Sequence, residues 1–352
     1  MTGRKKMIYF RSDYSLGAPQ KIMDALIKTN LEHTDGYAED EYSYRCADMI
    51  REMIGKPEAH VHFMVGGTPT NTVTISAALR PYEGVISPET GHIYRHETGS
   101  VEANGHRVFA APTEDGKLTP EAIEEMMVLH EDEHCVKPKM AYITHPTENG
   151  GVYTKAELTA LRESCDKNGL YLYMDGARLG TALVWQGNDL SLKDIANLTD
   201  AFYIGGTKIG ALFGEALVIL NEDINYEFRY MIKRSCTLLA KGRLIAVQLQ
   251  ALFEGKDGGS DIETSLYLEL SRHENEMAIM IADGAVKKGY ELWLPHQTNQ
   301  VFVIMDNDKI KELEERFFFY TWCPYDKNRS VIRLITNWNT KEEEVKALIE
   351  AL

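Results

Sequence analysis

A lysine preceded by two glycines at the end of an apolar run, Gly205-Gly206-Thr207-Lys208, is the residue best placed for covalent chemistry in this sequence. Its setting, FYIGGTKIGALFGEALVIL, holds almost no other charge. Desolvation there disfavours the ammonium form and readies the amine for a Schiff base with a carbonyl compound. A second apolar run ends in Asp175-Gly176-Ala177-Arg178. A carboxylate in such a place can cap a helix, ligate a metal, or keep a ring nitrogen protonated so that the ring withdraws electrons. Arg178, three residues on, carries a fork that suits both oxygens of a carboxylate. The third cluster, Gly66-Gly67-Thr68-Pro69-Thr70-Asn71, follows a strand and opens a helix. Thr68 is expected as its N-cap, with Pro69 at the first helical position. Backbone N–H groups at such a start cradle phosphate, although a plain strand–helix turn explains these residues equally well. The spacing is not GxGxxG and no Walker lysine follows, which disfavours a dinucleotide or a nucleoside triphosphate.

The elements that must position these clusters are short apolar strands alternating with helical patterns. Strands are expected at 61–65, 85–87, 107–111, 140–144, 170–174, 201–204 and 216–220, with helices at 120–129 and 155–168 among those between them. Near-continuous apolar strands in that alternation predict an α/β fold, a mostly parallel seven-stranded sheet covered by helices on both faces. In such sheets ligands bind beyond the carboxyl ends of the strands, where all three clusters fall. The glycine-rich, charged EGKDGGS (254–260) marks a boundary. The chain therefore divides into an N-terminal segment 1–35, a large unit 36–255 and a smaller α+β unit 256–352. The small unit is expected to hold a long helix to Lys288, strands 300–305 and 331–336, and a helix at 309–317. A helix near 19–29 packs either on the small unit or on another subunit.

Composition narrows the partners. A net charge of -15 repels a phosphate backbone, so no nucleic-acid partner is expected. No apolar stretch is long enough for a membrane span. The five cysteines are scattered and form no CxxC, which argues against a disulfide framework or a cysteine-rich metal site and suggests a cytoplasmic setting. His130-Glu131-Asp132-Glu133-His134 spells HExxH, but in a strongly acidic stretch before Lys137-Pro138 it reads as a solvated loop, and no metal is expected.

The order of phosphate loop, aspartate and lysine, with 33 residues from Asp175 to Lys208, resembles fold-type I pyridoxal-phosphate enzymes. Within that group the chain is similar to the threonine aldolase and β-eliminating lyase family. The likeness runs from Phe10-Arg11-Ser12-Asp13 through DGYAED (35–40), GGTPTN, ETGHIY (89–94), ENGG (148–151), DGARLG and GGTK to the strand containing Arg333. It implies pyridoxal 5′-phosphate as cofactor, with Lys208 as the Schiff-base lysine and Asp175 at the pyridine nitrogen. It also implies Gly67 and Thr68 in the phosphate loop, and His92 stacked on the ring near the substrate. Ser12, Arg178 and Arg333 match the groups that hold a substrate carboxylate. Lys241 and Arg243 match phosphate contacts supplied by a neighbouring subunit, in a homodimer or homotetramer with sites between subunits.

The activity implied by the resemblance is retro-aldol cleavage of a β-hydroxy-α-amino acid, L-threonine or L-allo-threonine, to glycine and an aldehyde. A β-eliminating lyase is the alternative. Two departures stand out: Thr207 where many relatives have serine, and Glu148 where a second histidine near the substrate hydroxyl is usual. A nicotinamide oxidoreductase lacks its fingerprint here, and a non-catalytic relative would be expected to lose Lys208 or Asp175.

Overall fold

The computed structural model describes residues 7–352. Seven strands form the large sheet, in the order His60–Met64, Glu215–Ile219, Ala201–Gly205, Tyr171–Asp175, Lys137–Thr144, Glu83–Pro88, Arg107–Ala111. The last five run parallel, and only Glu215–Ile219 opposes its two neighbours. All seven expected strands are present with ends displaced by a few residues at most, and the helices Pro120–Leu129 and Lys155–Asn168 form as expected.

Alternation along each strand sends side chains to opposite faces. Ile143, Met174, Phe202 and Ile204 pack into one core beneath the helices Glu41–Ile54, Lys155–Asn168 and Arg243–Phe253. Tyr142, Tyr173 and Tyr203 point the other way, toward the helices Gly67–Ala78 and Phe228–Arg234. Because both faces are covered, the strands carry few polar residues, and each fully buried aliphatic side chain contributes about 1.5–3 kcal/mol. Helix ends are set locally. Thr154 and Glu157 form a reciprocal capping box, and Gly169 closes that helix at φ 64°.

The C-terminal part has its own core around the helix Leu266–Lys287 and a four-stranded sheet. The strand order there is Tyr320–Pro324, Arg329–Ile335, Gln300–Asp306, Glu291–Leu292, all antiparallel. The expected helix at 309–317 is shorter, Asn307–Glu314. Phe317–Phe318 instead pairs in parallel with the N-terminal strand Ile8–Tyr9, which buries Phe317 and Phe10. Beyond that pair, Phe10 accepts a hydrogen bond from Ile335 of the small sheet, and Asp13 pairs with Arg178 of the large unit. The helix Gln20–Thr29 packs on Arg243–Phe253 of the large unit rather than on the small one.

Candidate active site

The register puts the polar loops on one edge. Met64 and Gly205 both pair with Glu215, so the GGTPT and GGTK loops leave the sheet side by side. Thr144 pairs with Asp175, which brings the loop carrying Glu148 next to Asp175. The helix after Met64 begins at Gly67 with Gly66 as its cap, two residues earlier than expected, so Thr68 is not the N-cap and Pro69 sits inside the first turn. A Cβ on Gly67 would lie 2.9 Å from the Tyr203 hydroxyl, so this turn needs glycine to lie against the sheet.

Asp175 closes its strand and is 2% exposed. One oxygen accepts from the Tyr203 hydroxyl at 2.5 Å and the Ala177 N–H at 3.0 Å. The other accepts from the Tyr142 hydroxyl at 2.7 Å and Asn71 Nδ2 at 2.9 Å. Burial alone would favour the protonated acid. The His92 charge and the hydrogen bonds from Tyr203, Asn71 and Tyr142 outweigh it and hold Asp175 below its ordinary pKa.

Lys208 lies in the turn after Gly205, half-buried, and among the described residues it has no hydrogen bond or ion pair. Burial, reinforced by the Arg178 charge, lowers its pKa against the opposing pull of Asp13, Glu148 and Asp175. The turn is tethered from beneath by Glu215, which accepts from the Gly206 N–H and the Thr207 hydroxyl, both at 2.7 Å. Burial pushes Glu215 up to about 7, opposed by those two bonds and Lys208.

His92 opens a short helical turn and donates from Nδ1 to Glu97 at 2.8 Å. Burial opposes its protonation, but that bond, with Glu148 and Asp175, raises His92 above its ordinary value. Glu148 is 7% exposed and acts electrostatically on His92, His96, Arg178, Lys208 and Arg333. Among the described residues it has no hydrogen-bond partner or ion pair.

The two arginines differ. Arg178 is committed inside the chain, with Nε 2.5 Å and Nη2 3.2 Å from the two oxygens of Asp13, which also accepts from Asn299. Nη1 and the second N–H of Nη2 remain for a ligand. Arg333, central in the strand Arg329–Ile335, has no acidic partner among the described residues, and its buried Nε has no acceptor. Its guanidinium lies 4.3 Å from the Trp322 ring centre and 5.2 Å from that of Tyr320. Burial, then repulsion from Arg178, lowers it to about 10, opposed by Glu148 and Asp13.

Ser12 is half-buried beside Asp13. Arg243 starts its helix and donates to Thr29 at 2.9 Å in this chain, and Lys241 is exposed. His130 to His134 lie at a helix end and in the loop after it, and no cluster of three or more metal-binding side chains occurs among the described residues.

The lysine, aspartate and histidine therefore share one edge of the large sheet, and the free arginine comes to them from the small sheet, near enough for Arg178 and Glu148 to act on its charge, as a ring-bearing aldehyde cofactor and an amino acid would require. The model of the family described as beta-eliminating lyase matches residues 9–308. The chain belongs to the β-eliminating lyase family. It is 30% identical to a low specificity L-threonine aldolase from Pseudomonas aeruginosa, over 96% of this chain and 95% of that protein. The solved structure of a threonine aldolase from Leishmania major is 43% identical, with a TM-score of 0.93, covering 97% of this chain and 98% of that one. An aspartate aminotransferase structure from Thermus thermophilus, 16% identical with a TM-score of 0.70, shares the fold alone.

The fold is fold-type I, and the family makes pyridoxal 5′-phosphate the cofactor. The residues present fit it. Asp175 is held as a carboxylate, Lys208 has no partner among the described residues, and the Gly66–Gly67 turn opens a helix whose first backbone N–H groups suit a phosphate. Reading the sequence in family terms missed Asn71, Glu97, Asp13 and Glu215. Asn71 and Asp13 lie inside motifs that pointed to the family, whereas Glu97 and Glu215 gave no signal of their own.

Proposed function

We propose that this chain is an aldolase that cleaves β-hydroxy-α-amino acids, L-threonine or L-allo-threonine, between Cα and Cβ to give glycine and acetaldehyde. The observation that carries this is the unpartnered Glu148 carboxylate, set among Lys208, His92 and the free edge of Arg333. When bound, pyridoxal phosphate supplies an electron sink for the electron pair left at Cα. Lys208 would hold it, Gly67 and Thr68 would hold its phosphate, Asp175 would keep its ring nitrogen protonated, and His92 would lie against the ring. Arg333 binds the substrate carboxylate with Ser12 and the remaining N–H groups of Arg178, which fixes the orientation of the Cα–Cβ bond. Glu148 takes the β-hydroxyl proton in the place where relatives have histidine.

The homo-oligomer is part of the same proposal. Leu31 is 90% exposed, Tyr226 77% and Tyr230 75%, the kind of apolar surface a second copy would cover. Arg243 and Lys241 would then reach a neighbour's phosphate site. We place the protein in the cytoplasm on its free cysteines, Cys46, Cys135, Cys165, Cys236 and Cys323. No described helix is long and apolar enough to cross a membrane. The division at 1–35, 36–255 and 256–352 is our proposed domain organisation.

Incubation with L-threonine tests the activity: the proposal requires glycine and acetaldehyde in equal amounts. Ammonia with a keto acid would replace it with β-elimination, a reading that the family name favours. Two variants separate the roles. Arg333→Gln is expected to lower kcat/KM roughly 10^2- to 10^4-fold, the worth of two charged hydrogen bonds at about 1.5–3 kcal/mol each. Glu148→Gln keeps the shape and removes the base, so kcat is expected to fall about 10^2-fold or more with little change in KM. If Glu148→Gln loses nothing in kcat, the base lies elsewhere.

A further inference from the structure

We propose that Asn71 and Glu97 form one positioning unit that holds His92 in a single tautomer and ties it to Asp175, so that the residue stacked on the cofactor ring and the residue at its nitrogen are set together. This rests on the placement of His92 and Asp175 against the cofactor.

The geometry is continuous. Glu97 is a buried carboxylate, and its Oε1 takes the Nδ1–H of His92 at 2.8 Å and Asn71 Nδ2 at 2.8 Å. Its Oε2 takes the Ser100 hydroxyl at 2.9 Å. Asn71 is 0% exposed, and its Nδ2 also donates to Asp175 at 2.9 Å. The Asn71 carbonyl accepts from the Tyr173 hydroxyl at 2.9 Å. Both hydrogens and the oxygen of one amide are therefore spent on a carboxylate, a second carboxylate and a phenol.

The chemistry follows from that count. Two buried carboxylates held this close repel each other unless a donor lies between them, and Asn71 is that donor. With Nδ1–H fixed on Glu97, the nitrogen His92 turns toward the cleft is Nε2. An imidazolium there and a protonated ring nitrogen would balance the two negative charges. The other groups acting on His92 are Glu148 from the loop after Thr144, Lys208 from the loop after Gly205, and His96 from its own turn, with ring centres 5.6 Å apart. Of these, Glu148 and Lys208 oppose each other in sign. Among the described residues, Glu97 is the one hydrogen-bond partner of the His92 side chain.

Three variants of the full-length holoenzyme test this, read by the pH dependence of the cofactor's visible absorption and of kcat. His92→Asn first identifies which titration step belongs to His92, as the step it abolishes. Glu97→Gln keeps an acceptor but removes the charge, and should move that midpoint down by about one pH unit. Asn71→Ala leaves the carboxylates unbridged, so they draw more on the imidazolium. The midpoint should move up, and the cofactor's Kd should rise about tenfold. In the His92→Asn background, Glu97→Gln should have no further effect on either profile. Opposite shifts from neighbouring variants are a signature that general loosening does not give.

Superimposable profiles for wild type and Glu97→Gln, or the same Glu97→Gln effect with and without His92, would overturn the proposal. If Glu97→Gln does not fold, Asn71→Ala alone decides, and a downward or absent shift would overturn it. A wild-type protein with no visible band would instead sink the cofactor reading on which the inference rests.

Discussion

Lys208→Ala is expected to reduce kcat on the order of 10^4-fold or more while leaving the fold intact. The two halves of that expectation have separate causes. Among the described residues, Lys208 has no hydrogen bond or ion pair whose loss would destabilise the protein. Its amine is half-buried and its pKa lowered, so removing it also removes a desolvation cost. The melting midpoint should therefore stay level or rise. Turnover should collapse, because no second lysine is placed by the same turn. A structural lysine would give the reverse pattern, with lost stability and retained rate. Thermal melting and steady-state kinetics on the same preparation distinguish the two.

Asp175→Asn should be nearly as severe for rate and should cost stability as well. Four donors point at the Asp175 carboxylate: the hydroxyls of Tyr203 and Tyr142, Asn71 Nδ2 and the Ala177 N–H. An amide offers one oxygen, and its own N–H groups would face donors. At least one buried donor loses its acceptor at about 1–3 kcal/mol. The charge that keeps the ring nitrogen protonated is lost at the same time. We expect kcat to fall on the order of 10^3-fold, with weaker cofactor binding and a lower melting midpoint. Asp175→Glu keeps the charge but displaces it, and should recover cofactor binding better than rate. Equal rates for wild type and Asp175→Asn would show that nothing in the reaction depends on this carboxylate.

The large sheet was legible because burial on both faces leaves strands such as Met140–Thr144 and Ala201–Ile204 almost without polar residues. The small sheet was less so. Tyr320–Pro324 has no fully buried residue, and Glu291–Leu292 is only two residues long, so neither carries a strong period. Phe317–Phe318 looked like the end of a helix because its partner, Ile8–Tyr9, lies some three hundred residues earlier in the chain. The helix after Met64 begins early because Gly67 lies against the Tyr203 hydroxyl of the sheet, a contact that Thr68 and Pro69 do not announce.

Lys208, Asp175 and His92 stood out by motif, and the fold brings them to one edge. Arg178 was expected to face the substrate, whereas the fold gives most of its fork to Asp13, a residue 165 positions away. Glu97 and Glu215 acquire meaning only through what folding places beside them, the His92 ring in one case and the lysine turn in the other. A sequence shows which groups are present, while pairings of this kind depend on register.

The central claim is that Lys208 carries the cofactor. Borohydride reduction of the holoenzyme, followed by peptide mass mapping, tests it directly. The account predicts one pyridoxyl-phosphate mass increment per chain, on the peptide containing Lys208, and none in Lys208→Ala. An increment on another lysine, or an unmodified Lys208 peptide from fully loaded protein, would contradict it.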